Sequence, residues 1–152
     1  MIMIFVAVGT TDFDGLIEKM DEIAPSLPDE VVLQTGNGRY VPRNCRYFRF
    51  APSLEPYYED STIVVCHGGL GIITEALETG KKLISVENTI CHGAHQRELL
   101  SALAEEGYLI WCRELDDLPE ALERARGHEF KRYIHPGCDI HTVIAEFLHK
   151  GR

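Results

Sequence analysis

The chain has 152 residues, 45% hydrophobic and 26% charged, with a formal net charge of −9. That length suits one domain with a real core. The acidic balance argues against nucleic acid as a partner and against direct adhesion to anionic lipid, both of which favour a basic face. The five cysteines (Cys45, Cys66, Cys91, Cys112, Cys138) include no CxxC pair, the usage expected of reduced thiols in a cytosolic protein.

The opening Met1-Ile2-Met3-Ile4-Phe5-Val6-Ala7-Val8 is apolar but short and lacks a basic leader, so residues 2–8 read as a first core strand and not as a signal peptide. No run approaches transmembrane length, so a membrane role has to come through a partner. Gly9-Thr10-Thr11-Asp12 forms a loop, and Thr11 or Asp12 is expected to cap a helix over 13–24. Thr11-x-x-Asp14 resembles a capping box, and Pro25 and Pro28 end the helix. A second strand covers 31–34. The loop 35–44 carries Arg39 and Arg43, read as solvated. A third strand covers 46–50 and a short helix 54–58.

The most informative stretch is Val64-Val65-Cys66-His67-Gly68-Gly69-Leu70-Gly71-Ile72-Ile73-Thr74-Glu75. Its β-branched apolar run, 62–66, suits a strand covered on both faces. The glycines allow a sharp turn, and a helix is expected from about Gly71 to Thr79, stopped by Gly80. A helix N-terminus behind a glycine turn offers free N–H groups to an anion, most often a phosphate. Glu75 lies one helical turn inside, where a carboxylate suits a sugar hydroxyl beyond the phosphates. The same residues could also make only a turn and a helix-dipole contact; this stretch alone leaves both readings open. Thr74 replaces the third glycine of a dinucleotide fingerprint, and no Gly-Lys-Ser/Thr follows the turn as in a P-loop.

Further on, a strand over 82–86 precedes a loop with Glu87, Cys91, His92 and Gly93. A helix over 94–106 has Leu99, Ala102 and Leu103 as its buried stripe and Gly107 as its stop. A strand over 108–112 and helices over 118–126 and 142–150 complete the chain. The last helix carries Val143, Ile144, Phe147 and Leu148, which either cap the domain or dock a partner. Trp111, Tyr108, Tyr57 and Tyr58 read as packing residues. The alternation implies a single α/β domain over 1–152: a Rossmann-like, mostly parallel sheet with helices on both faces and its ligand beyond the C-terminal strand ends. Cys66-His67 with Cys91-His92 and His95 raises a metal site, but the spacing fits no zinc pattern, so no metal is expected.

His67-Gly68-Gly69-Leu70-Gly71, Thr74-Glu75-Ala76-Leu77, Gly80-Lys81, His95-Gln96 with Glu98, Leu103-Ala104 and Gly107-Tyr108 together resemble the C-terminal domain of family-28 glycosyltransferases, GT-B enzymes that use UDP-sugars. Val6-Ala7-Val8-Gly9-Thr10-Thr11 with Phe13-Asp14 is similar to the short stand-alone members, such as the catalytic subunit of dolichol-linked N-acetylglucosaminyltransferase and small exopolysaccharide glycosyltransferase subunits. The resemblance runs from residue 2 to about 112.

It implies that Gly69, Leu70, Gly71 and Ile72 hold the diphosphate, helped by Gly9 and Thr10, with Thr11 also in the UDP-sugar site; His67 reads as a loop residue near the phosphates. Glu75 would hold the ribose, His95 and Gln96 would face the donor sugar, and backbone around Phe50 and Ala51 would recognise uracil. Ile72 stands where many members have Thr or Ser, and Glu87 where proline is usual. The implied function is that of the UDP-sugar-binding subunit of an inverting glycosyltransferase, working at the cytoplasmic side of a membrane. It would transfer N-acetylglucosamine or another hexose to a lipid-linked acceptor, together with a membrane-anchored, acceptor-binding partner subunit. No cofactor beyond the donor is implied, and no catalytic base is recognised in this chain. A non-catalytic nucleotide-sugar-binding module is the alternative.

Overall fold

The computed structural model describes residues 3–9, 12–67, 70–86 and 94–127. Thr10, Thr11, Gly68, Gly69, Glu87, Cys91, His92, Cys138 and the helix expected over 142–150 lie outside the described residues.

The described strands β1 (Met3–Ala7), β2 (Glu30–Gln34), β3 (Arg46–Phe48), β4 (Ile63–His67), β5 (Lys82–Val86) and β6 (Ile110–Cys112) form one sheet in the order β3-β2-β1-β4-β5-β6. Every pairing is parallel. Helices α1 (Asp14–Ile23), α2 (Glu55–Asp60), α3 (Leu70–Glu78), α4 (Ala94–Glu105) and α5 (Leu118–Gly127) make the crossovers and flank the sheet.

Alternate strand residues feed two cores, as a sheet covered on both faces requires. Ile4 and Val6 face Leu16, Ile17 and Met20 of α1 and Leu118 and Leu122 of α5. Phe5 and Ala7 face Tyr58 of α2, Ile73 and Leu77 of α3, and Leu100 and Leu103 of α4. The buried stripe of α4 is thus Leu100 and Leu103; Ala102 is half-buried, and the Leu99 side chain lies outside the described residues. The strand order reverses between β1 and β4, which opens a crevice beyond their C-terminal ends.

The start of α1 differs from the expected capping. Phe13 is its N-cap residue, and no side chain caps it. Asp14 instead accepts the backbone N–H groups of Arg39 and Tyr40, at 3.0 and 3.1 Å. Asp21, 1% exposed, accepts the Tyr40 hydroxyl at 2.7 Å and the N–H groups of Arg43 and Asn44 at 3.0 and 2.8 Å. The loop 35–45 is therefore strapped to α1 by two carboxylates. Only the side chains of Arg39 and Arg43 are solvated, as expected; their backbone is held. A Cβ on Gly38 would overlap the Asp14 carboxylate, so the strap requires glycine there.

Burial raises the Asp21 pKa, but the bonds from Arg43, Tyr40 and Asn44 outweigh it and hold the carboxyl below the usual range. Such a group stabilises the fold above its unfolded pKa of about 3.9, and the contribution is lost as pH falls through the folded value. Asp21→Ala is expected to cost about 3 kcal/mol in urea unfolding at pH 7, through lost charged hydrogen bonds and buried donors left unpaired. The deficit should shrink below about pH 4.

Candidate functional site

The site is built where β1, β4 and α3 meet. Strand β4 is buried throughout and ends at His67, and α3 begins at Leu70. Ile73, Ala76 and Leu77 pack on the sheet, and Ile72, Glu75, Glu78 and Thr79 line the cleft at helical spacing, Ile72 also packing against the core. Gly80, at φ +71°, ends α3 as expected.

Gly9 follows β1 at φ +68°, a conformation that favours glycine. A Cβ there would lie 3.5 Å from Ile72 Cδ1 and 3.8 Å from His67 Nε2, so the three residues converge. Gln34, the buried last residue of β2, fixes this bend. Its Oε1 accepts the N–H groups of Val8 and Gly9 at 2.9 and 2.7 Å, and its Nε2 donates to the carbonyls of Gly9 and Arg49, both at 2.8 Å. The Gly9 amide is therefore engaged by the protein.

A cleft of about 660 Å³ opens beside this junction. It is lined by Gly9, Ala51 to Glu55, Tyr58 of α2, and Ile72, Glu75, Glu78 and Thr79 of α3. Tyr58, 2% exposed, donates its hydroxyl to Glu75 Oε2 at 3.1 Å, while Glu75 itself is exposed.

Of the expected site residues, Gly9, Ala51, Ile72 and Glu75 line this one cleft. Phe50 does not; it is 52% exposed. The chain leaves the sheet after Phe48, where the Arg49 carbonyl accepts from Gly36 N–H and from Gln34, so Ala51 and not Phe50 turns to the cleft. His67 is not a loop residue but the buried end of β4. Burial lowers its pKa and a hydrogen bond to the Val8 backbone partly opposes this, so the imidazole is neutral at pH 7. Leu70 and Gly71 open α3, and His95 and Gln96 fall in the first turn of α4. The side chains of Leu70, His95 and Gln96, and Thr10, Thr11 and Gly69 altogether, lie outside the described residues. Among the described residues, no group of three His, Cys, Asp or Glu side chains could hold a metal; Cys66 is buried in the core.

Gln34 and Tyr58 were not singled out from the sequence as site residues. A polar residue closing the apolar run Val31-Val32-Leu33 was the available signal for Gln34; Tyr58 gave none beyond its packing.

A fully parallel sheet in this order, with its cleft at the reversal point, is a Rossmann-like fold, which the chain shares with solved glycosyltransferases. The pattern of the glycosyltransferase family 28 C-terminal domain matches residues 3–135, and the chain belongs to that family. The match extends beyond the expected limit near residue 112. The chain is 36% identical over 121 residues to the UDP-N-acetylglucosamine transferase subunit ALG13 of Mus musculus, covering 71% of this chain and 10% of that protein. It is 34% identical over 122 residues to the Homo sapiens protein of the same name, covering 72% and 11%. The chain thus spans about a tenth of the length of these relatives. A solution NMR structure of ALG13 superposes with a TM-score of 0.65 at 18% identity, covering 97% of this chain and 94% of that one.

Gln34→Leu is expected to lower stability by about 3 kcal/mol or more in urea unfolding, since buried N–H and C=O groups lose their partners. His67 supplies a pH signature. Its folded pKa lies below the unfolded value of about 6.5, so its contribution is complete above that pH and lost as pH falls toward the folded value. Stability should decline on acidification from about pH 6.5, and His67→Gln should flatten that limb of a midpoint-versus-pH profile.

Proposed function

We propose that this chain is the UDP-sugar-binding subunit of an inverting glycosyltransferase, with N-acetylglucosamine as the preferred reading of the donor sugar. The observation that carries this is the cleft at the β1–β4 reversal, where the start of α3, Ile72, Glu75 and the Ala51 loop share one cavity. Its volume, about 660 Å³, suits a nucleotide-sized ligand. The family match and the ALG13 relatives supply the chemistry.

In this reading, the leading N–H groups of α3 and its dipole receive the diphosphate. Glu75 accepts the ribose hydroxyls, and the backbone at Ala51 meets the base. An acceptor hydroxyl attacks the anomeric carbon from the opposite side, the bond to the diphosphate oxygen breaks, and the charge that develops on UDP is stabilised by the helix start without a metal. Ile72 supplies backbone and apolar surface only. The general base that takes the acceptor proton is assigned to a partner subunit, as is the lipid-linked acceptor. No described helix is long and apolar enough to cross a membrane, so membrane anchoring is also assigned to that partner.

A non-catalytic nucleotide-sugar-binding module is the second reading, favoured by the apolar Ile72 in the cleft lining. A labelled-donor transfer assay with the co-expressed partner separates the two: sugar transfer supports the enzyme, and binding without transfer supports the module.

Calorimetric titration with UDP, ADP and GDP should show preference for UDP, and a preference for ADP would overturn the uridine assignment. Glu75→Ala should weaken UDP binding by about 1–3 kcal/mol, the range for a lost charged hydrogen bond.

A further inference from the structure

We propose that Tyr58 is a positioning residue that presents the Glu75 carboxylate to the vicinal hydroxyls of a ribose, and so sets discrimination between ribo- and deoxyribonucleotides. The inference rests on the nucleotide-binding reading above and deepens it.

Tyr58 and Glu75 lie on different helices, α2 and α3, and both line the same cleft. The Tyr58 ring packs edge-on against Phe5 with centroids 5.5 Å apart, an arrangement that phenylalanine would satisfy equally. The hydroxyl is the part that packing does not explain. It reaches 3.1 Å to Oε2 of Glu75, an exposed side chain that would otherwise sample many rotamers. Burial pushes the phenol pKa well above its usual value and the Glu75 charge adds to this, so the group stays protonated and donates.

A carboxylate has about four acceptor positions. Oε2 is anchored by Tyr58, and Glu75 lines the cleft, so Oε1 is left for a ligand there. A carboxylate held in this way suits two adjacent hydroxyls, since less rotamer freedom is lost when they bind. Because the anchor comes from the Phe5 core, its position is set by the sheet and not by the ligand.

The test compares UDP with 2′-deoxy-UDP by calorimetry on wild type, Tyr58→Phe, Glu75→Ala and the double variant. Thermal melting checks that each variant is folded. Wild type should prefer UDP. Tyr58→Phe should lose about three- to tenfold in UDP affinity, the effect of one hydrogen bond, with a smaller loss for 2′-deoxy-UDP, which keeps only the 3′-hydroxyl. In the Glu75→Ala background, Tyr58→Phe should then change neither affinity, as a shared interaction requires. Equal losses for both nucleotides would reduce Tyr58 to a packing residue, and an unchanged preference would likewise overturn the inference. A wild type with no affinity for UDP would instead remove the nucleotide reading itself.

Discussion

The amide of Gln34 joins three consecutive strands of the sheet at their C-terminal edge. It stands at the end of β2, receives two N–H groups from the chain leaving β1, and donates to that chain and to the one leaving β3. These backbone groups sit where the ladder has run out, and the amide supplies them with partners there, each such hydrogen bond contributing about 0.5–1.5 kcal/mol. The bend at Gly9 and the departure toward Ala51 are therefore two consequences of one side chain. Both form walls of the cleft.

The clamp also divides labour within the site. It engages the amide of Gly9, while the first N–H groups of α3 have no partner within the helix. The outer edge of the sheet is held separately. Asp14 and Asp21 strap the loop 35–45 to α1, which fixes the approach to β3. The acidic net charge is thus partly structural: two of the carboxylates serve backbone amides and do not reach the cleft.

The opposite wall is made by side chains on helices. Tyr58 is anchored in the Phe5 core and Glu75 stands on α3, so the polar feature of the cleft is referenced to the sheet through a buried ring. Ile72 of α3 lies within van der Waals range of the place a Cβ would take on Gly9.

Much of this was legible in the chain itself. Apolar runs of strand length alternating with helical patterns imply a parallel sheet, because successive parallel strands need crossovers. Gly80 and Gly107 marked the ends of α3 and α4, and both adopt positive φ. The place of Glu75, one helical turn inside α3, was readable because it depends on local geometry alone. Other features depend on residues far apart in sequence, and no local pattern records them. Asp14 looked like half of a capping box, but the loop 35–45 folds back and takes its oxygens. Phe50 and Ala51 are neighbours, and only the end of the β2–β3 ladder decided which one turns to the cleft. Gln34 meets Gly9 across 25 residues, and Tyr58 meets Glu75 across 17. Elements and their order follow from periodicity and turn chemistry, which are properties of short segments. The partner of each buried polar group follows from which segments the closed sheet brings together, and that was decided only in the tertiary structure.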